Sequence, residues 1–560
     1  MAMIEITIND QKIQAKAGQT VLEAATDAGV DIPTLCHHPA LTNWGACRIC
    51  LVEIEKQRTL QPACTFPVTG GMVVHTESPA CVESRKFVLE LLFSERNHYC
   101  MYCQMSGDCE LQDLAYRYGL DSWKYPRPYD SMPVDASREY FVLDHNRCIL
   151  CRRCVRACAE IAANHTLGVR ERGASSMISA DLNAPFGEST CVSCGTCIQV
   201  CPTGALIDRK SAYMGREKDV EHVQTTCFAC SLGCAVDVVS RTNHMLRIES
   251  VWDAEPSYGL LCVAGRFEPL HDLRPRVETP LVKKNGQLVE ASWDEALDAA
   301  AAGLKQAGGI GALVTPRATN ETFVAVTKSF QNAGLTHSAP LPDLPADAVL
   351  ADVEHADLVV LAGADVMEDH RVVGGYIKRA LDRGARLAII GDEDNGLAEY
   401  ATLVSPEARH AVNMALEASQ PVVIYGADTA TKAADLLRVL ASRARFLPLV
   451  VGTNAVGAAQ VGLDGTFPAA QGLYVLLGDG QANGRVAAAA AGAEFLVVQA
   501  SYASPLTERA DVVLPSPIWA EQSGHLTNLE GKIRRVEAAI AAPDGVPAAP
   551  ATLQALAGRL

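Results

Sequence analysis

The chain has 560 residues, with 65 acidic against 48 basic side chains and a formal net charge of −17, which makes it too long for one domain and too acidic for a nucleic-acid-binding surface. No run reaches eighteen consecutive apolar residues, and the start, Met1-Ala2-Met3-Ile4-Glu5, lacks a secretory signal's basic head and apolar core. The expectation is therefore a cytoplasmic chain with no membrane span of its own, in which 20 cysteines, all before position 263, serve metal rather than disulfides.

Ile4-Glu5-Ile6-Thr7-Ile8 alternates as a strand, and Thr20-Val21-Leu22-Glu23 reads as a capping box that opens a helix ending near Gly29. The first cysteine quartet follows: Cys36, Cys47, Cys50 and Cys64. Two strands and a helix before a cysteine loop suit a β-grasp [2Fe–2S] ferredoxin domain over residues 1–80. Cys81 belongs to no quartet. In residues 81–138, Cys100, Cys103 and Cys109 need one more ligand for a [4Fe–4S] cubane, and His98 is the nearest candidate. The alternative is an ordinary surface or core histidine with the fourth ligand elsewhere.

Residues 139–219 hold two copies of Cys-x2-Cys-x2-Cys-x3-Cys, the first Cys148, Cys151, Cys154 and Cys158, the second Cys191, Cys194, Cys197 and Cys201. Zinc explains any single Cys-x2-Cys pair, but not two matched four-cysteine runs beside three further sets. Arg152 and Arg153 lie among these cysteines, where they can offset thiolate charge. The fifth quartet, Cys227, Cys230, Cys234 and Cys262, spans residues 220–276, with short strands expected at Ala235–Val239 and Leu246–Ile248. From residue 277 to 560 there is no cysteine. Apolar runs at 358–361, 387–390, 422–425, 473–477 and 495–498 alternate with helical stretches such as 431–437, the pattern of buried parallel strands in an α/β domain.

The first quartet resembles plant-type [2Fe–2S] ferredoxins, with a longer gap before the central pair. The doubled run resembles the bacterial two-cluster ferredoxin, in which the fourth cysteine of each run ligates the other cluster; this implies Cys148, Cys151, Cys154 with Cys201, and Cys191, Cys194, Cys197 with Cys158. Taken in order, the five quartets resemble the large iron–sulfur subunit of respiratory NADH:quinone oxidoreductase. Gly107-Asp108-Cys109-Glu110-Leu111-Gln112 and Cys201-Pro202-Thr203-Gly204-Ala205-Leu206 are also similar to the small diaphorase subunit of NAD-reducing hydrogenases. His98 stands two residues before Cys100, where the respiratory family usually has four, a departure towards the hydrogenase-diaphorase or formate-dehydrogenase branch.

The rear half is similar to molybdopterin oxidoreductases at Ser292-Trp293-Asp294-Glu295-Ala296-Leu297, at Ala510-Asp511-Val512-Val513-Leu514-Pro515, and at Thr527-Asn528-Leu529-Glu530-Gly531. No cysteine follows Cys262, Ala264 stands where formate dehydrogenases carry a lysine, and the sequence stops soon after Gly531. A truncated α/β domain without molybdenum is expected. The resemblance implies a multidomain α+β and α/β chain with one [2Fe–2S] and four [4Fe–4S] clusters. It also implies partners: a flavoprotein binding FMN and NAD(P)H, a small thioredoxin-like [2Fe–2S] subunit, and a further redox module using quinone, hydrogen, formate or ferredoxin. The location implied is the cytoplasm, or the inner face of the membrane through such a complex. Rival readings are a catalytic molybdenum or tungsten formate dehydrogenase and a structural scaffold. Weaker motifs are Gly478–Gly484, a near-dinucleotide loop; Gly363–His370, a strand-to-helix turn; and His37 and His38, which flank an already complete quartet.

Overall fold

The computed structural model describes residues 2–126, 131–337 and 340–560; Met1, the head of the N-terminal segment read above, lies outside them. The chain divides into two units, one ending at Val220 and one starting at Glu221. The division falls within one residue of the start expected for the fourth domain, at 220.

In the first unit, the strands Met3–Ile8 and Gln11–Lys16 form an antiparallel hairpin, with Asn9 and Asp10 both at positive φ as a tight two-residue turn demands. Ile6 and Ile8 point into the core while Glu5 stays in solvent, so period-two alternation becomes one buried face. The sheet runs Gln11–Lys16, Met3–Ile8, Val73–His75, Leu51–Ile54, Gln61–Pro62. The helix Val21–Asp27 packs on it, opened by the reciprocal Thr20 and Glu23 capping bonds and followed by Gly29 at φ +72°. Behind this sheet a 17-residue helix, Pro79–Glu95, starts at the Ser78 cap with proline in its first turn. It builds an apolar core of Leu89, Phe93, Leu111, Leu114 and Ile149, against which Cys47, Cys100, Cys109 and Cys151 pack.

The second unit begins with a three-stranded antiparallel sheet, Glu221–Thr226, Ala235–Arg241 and His244–Ser250. Two further sheets follow. One has seven strands in the order Gln287–Glu290, Leu281–Lys284, Val512–Pro515, Phe495–Ala500, Gly472–Gly478, Ile310–Val314, Ala333–Leu335; the last five run parallel and the first two form an antiparallel edge hairpin. The other has five parallel strands, Leu403–Ser405, Arg386–Ile390, Leu358–Ala362, Pro421–Tyr425 and Arg445–Pro448. Every residue of Leu358–Ala362 and of Pro421–Tyr425 is buried, as helices on both faces of a parallel sheet require. Ser292 caps the helix Trp293–Gln306. Among the described residues no helix is long and apolar enough to cross a membrane.

Candidate cluster-binding sites

None of the 20 cysteines, all of them among the described residues, forms a disulfide. In the first quartet Cys36, Cys50 and Cys64 are each 1% exposed, and the Cys47 amide donates to Cys36 Sγ at 3.5 Å. Hydrogen bonds from the Cys47 and Cys64 thiols hold Cys36 well below the usual thiol range, and the bond from Cys64 lowers Cys50. The four sulfurs therefore face one another. Arg85, 0% exposed, fixes the loop that presents Cys50: its Nε donates to the Ile49 carbonyl at 3.0 Å and its Nη2 to the Leu51 carbonyl at 2.9 Å. Glu77 and the Tyr118 hydroxyl accept from Nη1 at 2.7 and 2.9 Å. Nothing in the sequence marks Arg85. His37 Nδ1 meets Asn43 at 2.9 Å and His38 Nδ1 accepts from the Ala40 amide, so both neighbours of Cys36 serve the loop.

A cavity of about 330 Å³ is lined by His98, Cys100, Cys103 and Cys109, together with Phe93, Arg147 and Gly204. His98 Nε2 lies 3.1 Å from the Leu92 carbonyl, which can only accept, so Nε2 carries the proton and Nδ1 keeps the lone pair. Burial lowers the His98 pKa to about 4, leaving a neutral imidazole, the form that ligates metal. Gly204 closes one wall of this cavity. A Cβ there would stand 2.7 Å from Cys103 Sγ, so a side chain would push the ligand loop aside.

The two ferredoxin runs are built alike. Leu150 and Arg152 in the first match Ser193 and Gly195 in the second, all at positive φ. The Leu150 amide donates to Cys148 Sγ and the Ser193 amide to Cys191 Sγ, both at 3.4 Å. Cys148, Cys151, Cys154 and Cys201 line one cavity, while Cys158 is raised by burial and then by the nearby charges of Cys194 and Cys191. Burial pushes Cys148 up to about 11 and Cys158 to about 12, so a metal bound by these thiols would have to displace their protons. Arg153 pairs in bidentate fashion with Glu110 at 2.6 and 2.8 Å, while Arg152 lies over the Trp44 ring. Arg156 donates to the carbonyls of Cys36 and Thr42, tying this run to the first quartet. The Cys109 thiol and the Glu110 amide both reach the Pro202 carbonyl, tying it to the His98 quartet.

Cys227, Cys230 and Cys234 sit between the strands Glu221–Thr226 and Ala235–Arg241, and the Cys227 amide donates to the Cys234 carbonyl at 2.8 Å. Charges on Cys227, Cys230 and Cys262 all raise Cys234 after burial does, which places the four together. A Cβ on Gly265 would lie 3.1 Å from Cys227 Sγ and 3.9 Å from Cys262 Sγ. Cys81, wholly buried, has its thiol in hydrogen bonds with Ser78 and the His75 carbonyl, and its amide on the Ser78 hydroxyl. Among the described residues no three His, Cys, Asp or Glu side chains meet closely enough to hold a single ion. Cysteines around a polynuclear cluster stand further apart than those around one zinc ion. The cavities above, and the glycines that keep them open, fit iron–sulfur cages.

Next to the fifth quartet a cavity of about 800 Å³ is lined by Ala264, Glu268, Asp272, Arg274, Arg317, Asp479, Tyr502 and Trp519. Both cations on its wall are already engaged, Arg317 by Asp479 and Arg274 by Asp272, and three carboxylates face two guanidiniums. Neither guanidinium is left to hold the phosphate of a pterin, so these residues do not fit one. The near-dinucleotide loop contributes Asp479 to this wall, and its Asn483 caps the helix Gly484–Gly492. In the Gly363–His370 turn, Asp365 caps Val366–Asp369 and His370 Nε2 meets Ser231 Oγ at 2.9 Å.

Five families match the chain in succession: a 2Fe-2S iron-sulfur cluster binding domain over 1–79, the NADH-ubiquinone oxidoreductase-G iron-sulfur binding region over 85–122, the ferredoxin-like domain of NADH-quinone oxidoreductase subunit 3 over 139–207, the molybdopterin oxidoreductase Fe4S4 domain over 220–269, and molybdopterin oxidoreductase over 276–434 and 449–545. NADH-quinone oxidoreductase subunit 3 of Thermus thermophilus is 30% identical, the match covering 95% of this chain and 79% of that one. The second G-type subunit of the same enzyme in Rhizobium meliloti is 34% identical over 68% of this chain, which spans 47% of that relative's length. The G-type subunit of Rickettsia bellii is 28% identical, with 96% and 84% covered. Among solved structures, a chain of an NAD+-reducing [NiFe]-hydrogenase is 36% identical over 38% of this chain and 91% of its own, with a TM-score of 0.35.

Proposed function

Because the chain belongs to the family of G-type NADH-quinone oxidoreductase subunits, called subunit 3 in Thermus, we propose that it relays single electrons between a flavoprotein that oxidises NAD(P)H and a further redox subunit. Its complement is one [2Fe–2S] cluster on Cys36, Cys47, Cys50 and Cys64, and four [4Fe–4S] clusters. These are held by His98 with Cys100, Cys103 and Cys109; by Cys148, Cys151, Cys154 and Cys201; by Cys191, Cys194, Cys197 and Cys158; and by Cys227, Cys230, Cys234 and Cys262. The clusters supply one-electron chemistry when bound. The polypeptide holds them at fixed spacing, keeps water from the sulfurs and sets the local charge.

One observation carries the reading: a single apolar core in the first unit touches cysteines from three different quartets, Cys47, Cys100, Cys109 and Cys151. Thiols that served separate structural ions would need no shared core, whereas electron transfer between centres needs them held close and rigid. A donor that gives electrons in pairs requires a flavin to split them. FMN and the nicotinamide therefore belong on a partner, alongside a small thioredoxin-like [2Fe–2S] subunit. A molybdenum-dependent formate dehydrogenase is a weaker reading, because no cysteine follows Cys262 and the adjoining cavity does not suit an anionic pterin.

The test is anaerobic purification of the native complex followed by NADH addition under electron paramagnetic resonance. Cluster signals should appear in the complex and not in the isolated chain. Clusters that stay oxidised in the complete complex would leave only a scaffold, and formate oxidation by the isolated chain with stoichiometric molybdenum would establish the catalytic alternative.

A further inference from the structure

The peptide between Phe228 and Ala229 is held from both ends. Its N–H, that of Ala229, donates to Cys227 Sγ at 3.4 Å. Its carbonyl, that of Phe228, accepts from Arg317 Nη1 at 2.7 Å and from Thr453 Oγ1 at 2.6 Å. Because the peptide is trans and planar, a cation on its carbonyl side polarises the N–H that faces the sulfur. Arg317 is itself fixed: Asp479 accepts from its Nε at 3.0 Å and from its Nη2 at 3.2 Å, and the same carboxylate accepts from the Trp519 amide. Asp479 is 7% exposed at its side chain and Arg317 30%, the latter opening onto the cavity. The other nearby guanidinium, Arg371 beside Cys262, is 36% exposed and stands 3.9 Å from Glu268.

We propose that Arg317, oriented by Asp479, is a positioning residue that raises the reduction potential of the cluster held by the Cys227 quartet, acting through the Phe228–Ala229 peptide. Hydrogen bonds to cluster sulfurs and local net charge both set such potentials, since reduction adds a negative charge that a donor or cation stabilises. The inference rests on the proposed ligation of that quartet. It gives the near-dinucleotide loop a role: Gly478–Gly480 presents Asp479 to Arg317 rather than to a nucleotide.

The pair makes opposite predictions for its two members. In the full-length, anaerobically prepared chain, the fifth cluster's signal is first assigned as the one lost in Cys227→Ser, and its midpoint is then measured by redox titration. Arg317→Gln removes the cation and leaves Asp479 charged, so the reduced-to-oxidised ratio at fixed potential should fall about tenfold, or ~59 mV for one electron. Asp479→Asn leaves the cation uncompensated and should shift the ratio upward, while Arg317→Lys should stay nearer the parent. Shifts in one common direction, or none while the signal is intact, would overturn the proposal. If Arg317→Gln fails to retain the cluster, Asp479→Asn decides alone, an unchanged or lowered potential being contrary. If Cys227→Ser removes no signal and no iron, it is the ligand assignment that fails, and the tuning proposal with it.

Discussion

Arg85 is one of the largest side chains hidden completely among the described residues, and it lies beside Cys50, one of the proposed cluster ligands. A buried guanidinium costs several kcal/mol in desolvation unless it is paired and hydrogen-bonded, and here two carbonyls, a carboxylate and a phenol offset that cost. Arg85→Leu should destabilise the chain by about 3 kcal/mol in denaturant unfolding. It should also weaken the [2Fe–2S] signal more than the cubane signals; equal loss of all signals would make the residue merely structural. Its importance was not legible in the sequence, because a lone arginine in a mixed helix looks the same whether it faces water or core. Only the tertiary placement of Ile49 and Leu51 gives it partners. His98 was legible as a candidate, because three cysteines at cluster spacing lack a fourth ligand. His98→Cys should keep a cubane but lower its potential, since a thiolate replaces a neutral imidazole; an unchanged midpoint in a redox titration would remove the histidine from the ligand set.

At the level of elements, the two ferredoxin runs show what repetition in sequence becomes in space. Each places two left-handed residues among its cysteines, and the first run does so with Leu150 and Arg152, where glycine would be cheaper. Crosswise pairing makes a specific demand. Cys201→Ser should abolish the same resonance signal as Cys151→Ser, and Cys158→Ser the same as Cys194→Ser; the reverse grouping would mean that each run binds its own cluster. Gly204 is a second element-scale test, since its Cβ would stand 2.7 Å from Cys103 Sγ. Gly204→Ala should cost about four irons per chain, whereas Gly265→Ala, at 3.1 Å from Cys227 Sγ, should be milder. Full iron retention in Gly204→Ala would show that the Cys103 loop gives way. The Thr20 capping box and the apolar strands were readable because each rests on a local pattern. The allocation of those strands to two sheets was not: Leu358–Ala362 and Gly472–Gly478 are both apolar throughout and nothing local tells their partners apart.

At the scale of the whole molecule, the cysteines divide the chain into two kinds of work. The first unit holds four quartets, three of which touch one core, with Arg156 tying the first ferredoxin run to the Cys36 loop and the Pro202 carbonyl tying the second to the Cys109 loop. The second unit carries one quartet on a small antiparallel sheet and two larger sheets, one parallel and one mixed, and the guanidiniums of the adjoining cavity are engaged in ion pairs. The central claim is that the quartets cage inorganic clusters rather than single ions. Iron and acid-labile sulfide per chain, measured on anaerobically purified protein, test it most directly. About eighteen of each is expected from one [2Fe–2S] and four [4Fe–4S] centres; about one metal per quartet without sulfide, or almost no iron after reconstitution, would contradict it.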